Sequence, residues 1–397
     1  MKILCTVTND LTFDQRMIRI CTSLSLAGHQ VHLVGRQLPS SLPLENQLFT
    51  QHRFRLLFTK GKLFYLEFNI RLFFYLLFSR FDVVCSVDLD TILPGSVVAY
   101  LKRKICVYDA HEYFSEVPEV VERPFVKKAW ETLARIIIPR LRYAYTVGDC
   151  LASIFQEKYT TPFEVIRNVP VKKGSVSPNS KTWDLSQNFI LLYQGVLNEG
   201  RGLEETIGAM VHLSSTELWL VGEGDLSWEL RELVKKLGLD DRVRFWGKLT
   251  PSELKALTPQ SHLGLNLLKN KGLNYYYSLA NKVFDYMQAG LPSLTMDFPE
   301  YRRINQQFEV FFLLEDLTES SIVRAVNNLR QDHVLYEKLA ANCLEAAEVF
   351  TWEQEEKKLL TFFQKIEFEK GRNNFWHKKP QVRSNQTSCS LPASGER

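Results

Sequence analysis

Two cationic side chains stand where a diphosphate could be held. Arg201 lies in "YQGVLNEGRGLEE", where Gly195, Gly200 and Gly202 let backbone N–H groups approach a phosphate and a helix opens near Leu203. A planar guanidinium there can grip two phosphate oxygens at once. A tight loop with a solvated arginine is the plainer reading of the same residues. Lys282 lies in "GLNYYYSLANKVFDYMQAGLP", residues 272–292, which passes from a Gly, Asn and Tyr-rich loop into a helix. Ser278 is a candidate N-cap, so the free N–H groups of the next turn would point at an anion. Asn281 and Lys282 fall on the first turns, and the lysine is a mobile point charge suited to a diphosphate. Asp285 sits inside the helix, where Asp has only modest propensity, and its carboxylate could accept two hydroxyl hydrogen bonds from a ribose. A surface Lys beside a surface Asp is the alternative. Gly222 and Gly224 end the strand of "LVGEGD", a common turn, but Gly222 joins the candidate set by its place after a strand. In "WGKLTPSEL", Thr250, Pro251 and Glu253 mark a helix start with no catalytic role.

The first half of the chain carries a second group. "CVYDAHEYF" puts Asp109, His111 and Glu112 directly after a buried strand. "HEYFSE" does not have the spacing of a zinc peptidase helix. The loop "NDLTFDQR" brings Asn9, Asp14 and Arg16 after the first strand, and Asp14 serves equally well as a helix N-cap. A D-x-D pattern occurs at Asp88-Leu89-Asp90. Such a pair can bind a metal diphosphate, yet it falls in the other half of the chain from Arg201 and Lys282. It is assigned a loop role, and no essential metal is expected.

Short apolar runs alternating with helical patterns must position these groups. "KILCTVT", a helix over 14–27 closed by Gly28, and "QVHLVGR" form a βαβ start. "FRLLF", "DVVCSV", "KICVYDA", "YAYTVG" and "FEVIRNV" continue the series. Nearly continuous apolar strands separated by helices imply parallel sheets covered on both faces. Residues 169–188 are rich in Pro, Ser, Asn and Lys and read as a linker. A second series then runs through "FILLYQG", "ELWLVGEG", "RVRFWG", "HLGLNLL", "PSLTM" and "EVFFLL", and two helical stretches follow, over 318–350 and 352–369. The expected plan is therefore α/β: two doubly wound Rossmann-like domains, 1–168 and 189–350, facing a cleft. A C-terminal helix over 351–370 is expected to pack back on the first domain, and a disordered tail follows at 371–397. Ligands of such sheets bind outside the C-terminal strand ends.

At 397 residues the chain has room for two cores, and its 45% hydrophobic and 24% charged content suits a globular protein. A net charge of +4 fits a phosphate-bearing ligand but is too weak to indicate nucleic acid. The seven cysteines are scattered in apolar runs without a CxxC, as for reduced core thiols of a cytoplasmic protein. "MKILCTVTND" enters a strand at once, with no signal-peptide pattern. The stretch 61–81, "GKLFYLEFNIRLFFYLLFSRF", is strongly apolar but is interrupted by Lys62, Glu67, Arg71 and Arg80. It reads as a buried amphipathic helix, with a helix lying in a membrane interface as the alternative.

The order and spacing of "FILLYQGVLNEGRGLEE", "LVGEGD", "RVRFWGKL" and "SLANKVFDYMQAGLPSL" resemble the C-terminal half of a GT-B glycosyltransferase of family 4, and "VYDAHEYFSEVPE" resembles its bacterial members. The resemblance spans residues 1 to 369. It implies a hexosyltransferase-type enzyme of polysaccharide or cell-envelope biosynthesis. Such an enzyme moves a sugar from a nucleotide-diphosphate donor to a glycan or lipid-linked acceptor, with retention and without metal or other cofactor. It implies that Arg201 and Lys282 hold the diphosphate, that Asp285 binds the ribose, and that His111 faces the transferred sugar. The first acid of the family's E-x7-E signature falls at Tyr277 here, and a basic residue often found after the strand-end glycine is Val196. Partners follow: the donor, the acceptor, no nucleic acid, and a contact with the inner membrane surface as the helix alternative allows. Two rivals stay open: a nucleotide-sugar epimerase on the same scaffold, and a nucleotide-sugar-binding protein without turnover.

Overall fold

The computed structural model describes residues 1–12, 14–172 and 188–370. Most of the expected linker and the tail from Gly371 lie outside the described residues. The chain divides into two compact units, Met1–Asn168 with the segment from Glu355, and Val169–Gln354.

In the first unit, β1 (Lys2–Asp10), α1 (Gln15–Leu26), β2 (Gln30–Gln37) and β3 (Thr50–Arg55) are followed by α2 (Gly61–Phe78), β4 (Val83–Val87), α3 (Leu89–Leu101) and β5 (Ile105–Ala110). Then come α4 (Pro118–Val121), α5 (Pro124–Ile137), β6 (Tyr143–Thr146), α6 (Asp149–Tyr159) and β7 (Phe163–Val165). The seven strands are all parallel, in the order β3-β2-β1-β4-β5-β6-β7. The direction of winding reverses between β1 and β4, so the loops after these two strands flank the crevice where such sheets bind ligands. β4 and β5 are buried along their whole lengths, which is why "VVCSV" and "ICVYDA" lack an alternating pattern.

The expected strand "FRLLF" is corrected to Thr50–Arg55. The Glu67 carboxylate accepts hydrogen bonds from the N–H groups of Leu57 and Phe58, so those backbone donors serve α2 instead of a ladder.

The second unit runs β8 (Phe189–Gln194), α7 (Leu203–Ala209), β9 (Thr216–Val221), α8 (Ser227–Lys236), β10 (Val243–Gly247), α9 (Pro251–Leu257) and β11 (Leu263–Asn266). It continues with α10 (Gly272–Tyr276), α11 (Asn281–Gln288), β12 (Ser293–Met296), α12 (Pro299–Phe308), β13 (Phe311–Leu314), α13 (Glu319–Gln331) and α14 (His333–Val349). Its six parallel strands are ordered β10-β9-β8-β11-β12-β13, reversing between β8 and β11. The start of α9 is a capping box between Thr250 and Glu253. The helical stretch expected over 318–350 is two helices, because Asp332 ends α13 and its carboxylate accepts from Leu335 N to open α14.

The last helix, α15 (Trp352–Lys370), belongs to the first unit from Glu355 onward. There Phe362 packs edge-on against Tyr143 and Tyr145, and Glu355 accepts from the Arg167 N–H. Cys5, Cys21, Cys85, Cys106 and Cys343 are buried free thiols.

Candidate functional site

The switch point of the second sheet gathers the cations. Gly195 follows β8 at φ 142° and Gly222 follows β9 at φ 137°. A Cβ on Gly222 would lie 1.9 Å from the Gly195 carbonyl oxygen, so the two strand ends approach closely only because Gly222 carries no side chain. Lys282, in the first turn of α11, reaches over β8. Its Nζ stands 3.7 Å from the centre of the Tyr193 ring and 3.3 Å from the point where a Cβ on Gly195 would be. The Arg201 guanidinium lies 5.1 Å from the centre of the Tyr275 ring, and its Nε is buried without a hydrogen-bond partner among the described residues. Burial, and then the nearby Arg201, push the Lys282 ammonium well below the usual lysine range. Two cations thus share one place, each against an aromatic face. No carboxylate offsets the charge on Lys282 among the described residues. An anion with two or more oxygens would relieve both.

Asp285, one turn further along α11, accepts a 3.1 Å hydrogen bond from Gln194 Nε2, and Gln194 Oε1 in turn accepts from Thr258. The carboxylate is therefore oriented from the end of β8. Asn281 is exposed at the first position of α11. Ser278 is not the cap of this helix: Ala280 is, and its N–H donates to the Tyr301 hydroxyl. The Ser278 hydroxyl instead donates to the Tyr275 carbonyl and closes α10. The reason is that α10 ends only at Tyr276, so Ser278 is used in leaving one helix before the next begins. Tyr277 is buried, edge-on to Tyr276, and brings no carboxylate to the site.

The switch point of the first sheet holds a different chemistry. Arg16, in the first turn of α1, is buried and hydrogen-bonds in three directions: Nη2 to Asp109 Oδ1 at 2.9 Å, Nη1 to the Ile166 carbonyl, and Nε to His111 Nε2 at 2.8 Å. Arginine only donates, so the neutral His111 ring accepts at Nε2 and carries its proton on Nδ1. Nδ1 lies 3.8 Å from Asp88 Oδ2, and the His111 backbone N–H donates to Asp88 Oδ1 at 2.8 Å. When the ring is protonated, Nε2 can donate to Asp109 Oδ2, 3.0 Å away.

Burial pushes the Asp109 carboxyl up, but Arg16 and His111 outweigh this and hold it down at about 2. For His111, burial acts downward and Asp109 more than offsets it, so the ring titrates above the usual histidine value. Burial pushes Asp88 well above the carboxylate range and Asp90 to about 7, although Asp90 accepts a 2.6 Å hydrogen bond from the Thr8 hydroxyl. Glu112 is half-buried beside this group and adds to the upward push on both.

Arg16 and Asp109, expected on the acceptor side, form a buried ion pair that carries His111. Asp109 is fully buried and Arg16 nearly so. Asn9 donates to Asp14, and Asp14 caps α1 by accepting from Met17 N. Asp88 and Asp90, given only a loop role from the sequence, belong to the His111 cluster. Their signal was the place of "VDLD" directly after the buried strand next to the switch point. Tyr193, Gln194 and Tyr275 were also missed; aromatic faces under the two cations leave no local pattern.

This pair of doubly wound units is the GT-B architecture. Residues 188–332 match the model of the family described as Glycosyl transferases group 1. Among curated proteins, the chain is similar to the lipopolysaccharide core biosynthesis glycosyltransferase LpsD of Rhizobium meliloti (strain 1021). The identity is 27% over 198 residues, 49% of this chain and 54% of that protein, so the match spans about half of the relative's length. Among solved structures, sucrose-phosphate synthase from Thermosynechococcus elongatus superposes with a TM-score of 0.74 at 15% identity, covering 93% of this chain and 100% of the other. Anabaena Alr3699/HepE in complex with UDP-glucose superposes with a TM-score of 0.71 at 15% identity, covering 92% and 100%. At such identities the likeness is one of fold.

Proposed function

We propose that the chain is a glycosyltransferase that moves a sugar from a nucleoside-diphosphate donor to a glycan or lipid-linked acceptor, with retention of configuration and without metal. The observation that carries this is the Lys282–Arg201 pair at the switch point of the second sheet: among the described residues no carboxylate offsets Lys282, and Arg201 Nε is buried without a hydrogen-bond partner. A diphosphate supplies that charge, and the same groups stabilise it again as it departs. Preorganised charge of this kind often contributes the largest share of the rate. Asp285, oriented by Gln194, takes the ribose hydroxyls. His111, held by Arg16 and Asp109, is assigned to the reacting sugar, and the leaving phosphate takes the acceptor proton. The family match and the LpsD likeness support this reading.

The test follows nucleotide release from a panel of nucleotide sugars, with and without a glycan and lipid extract as acceptor, after a thermal-shift screen has chosen the donor. Acceptor-dependent release of nucleoside diphosphate with a product of unchanged anomeric configuration supports the proposal. An isomerised donor would mark an epimerase instead, and binding without turnover a nucleotide-sugar-binding protein.

A further inference from the structure

Helix α2 is apolar on two opposite sides. Phe64, Phe68, Leu72 and Leu76, spaced four apart, are buried in the core of the first unit. On the other side Leu63, Leu66, Ile70, Phe74 and Phe78 repeat every three or four residues and are exposed, from 49% at Ile70 to 81% at Phe78. At 3.6 residues per turn they cover an arc of about 120° along a helix about 27 Å long. α3 packs alongside: Asn69 donates to the Asp90 carbonyl and the Lys102 ammonium to the Leu76 and Leu77 carbonyls. It adds the exposed side chains Leu93, Val97, Tyr100 and Leu101. A single exposed leucine needs no explanation, but a continuous apolar stripe on two neighbouring helices does.

The rim of this face is cationic. Lys60 and Lys62 stand exposed at the start of α2, and Arg80 and Arg103 at the ends of α2 and α3. The one acid of α2, Glu67, is occupied by the Leu57 and Phe58 N–H groups and by Arg71. We propose that this face seats on the surface of an anionic phospholipid bilayer, the apolar stripe entering the headgroup boundary and the flanking cations meeting the phosphates. That is the arrangement of an interfacial helix. Among the described residues no helix is long and apolar enough to cross a membrane, so α2 lies along the surface. A second copy of the chain fits less well: a two-fold pairing along α2 would bring cationic ends against cationic ends. The proposal stands independently of the nucleotide site.

The experiment is sedimentation of the full chain with vesicles of phosphatidylcholine alone and of phosphatidylcholine mixed with phosphatidylglycerol. Binding is expected only to the anionic vesicles and should weaken with salt. The double variant Ile70→Glu with Phe74→Glu is expected to lose about tenfold or more of that binding. The charge reversal Lys62→Glu with Arg80→Glu should also weaken it, and both variants should keep the circular dichroism and melting temperature of the parent. Undiminished vesicle binding in both variants overturns the proposal, as does absence of binding by the parent. A dimer of the parent that dissociates in the Ile70/Phe74 variant, without vesicle binding, assigns the face to a second copy instead.

Discussion

At Lys282, burial and then Arg201 both oppose the charge of the ammonium. Such a group costs the free protein stability in exchange for ligand affinity. Its folded-state pKa is lowered, so the unfolded chain binds more protons between that value and the ordinary one. Stability carried by this residue therefore rises with pH through the window. Lys282→Met should raise the melting temperature near neutral pH by an amount on the order of a few degrees, while weakening nucleoside diphosphate binding. For Lys282→Ala and Arg201→Ala, loss of a charged contact of about 1.5–3 kcal/mol predicts a fall in diphosphate affinity of roughly 10- to 100-fold. Binding of the bare nucleoside should be unchanged. Calorimetric titration with both ligands checks this, and equal losses would mean that neither cation touches phosphate. His111→Ala should leave donor affinity unchanged and lower the transfer rate by about 10²-fold or more. Full turnover in that variant would return His111 to a structural role.

At the scale of elements, the strand ends are the fragile parts. Gly222 has a φ suited to glycine, and any Cβ there would collide with the backbone after β8. Gly222→Ala should cost more than about 1 kcal/mol in chemical denaturation and should disturb the Gly195 carbonyl. After β4, Asp88 adopts φ 55° although it is not glycine, and its carboxyl accepts the His111 N–H. Strain of this kind persists where the surroundings over-determine it. Because burial favours the neutral form of Asp88, Asn is a close substitute: Asp88→Asn should be tolerated. Asp88→Ala should lose about 1–3 kcal/mol by orphaning the His111 N–H. Both are read by denaturation midpoints. Neither position announced itself as a strained one in the sequence, because backbone strain arises from the neighbours a turn must fit.

For the whole molecule, two groups pull pH dependence in opposite directions. Asp109, held at about 2, contributes stability that is present above the unfolded value and lost as pH falls toward 2. Asp90, raised to about 7, contributes stability that is present below the unfolded value near 3.8 and lost as pH rises through 7. Asp90→Asn should therefore flatten the stability profile between about pH 4 and 7; an unchanged slope would show that Asp90 titrates normally. The first unit also depends on chain from the far end. Leu359, Phe362, Phe363 and Ile366 of α15 are buried, and loss of a single buried Phe costs about 3–5 kcal/mol. Ending the chain at Gln354 should leave the first unit unfolded at 25 °C, as measured by circular dichroism of the residual signal.

The alternation of strands and helices, the strand-end glycines, and the cations beside them were all legible in the sequence. They are consequences of local periodicity and of short loops after buried strands, and β8 to β13 fall within the quoted runs except that β9 starts one residue earlier, at Thr216. Boundaries failed where a side chain took over a backbone's role, as Glu67 did for the end of "FRLLF" and Asp332 did between α13 and α14. What only the tertiary structure decided is which distant groups meet. Adjacency of β8 and β11 in the sheet order brings the Arg201 loop to α11, and the fold of the first sheet sets Arg16 under His111. It also decided that α2 has one apolar side buried and another left open, since a helix that is apolar on both sides contains nothing to say which will be covered.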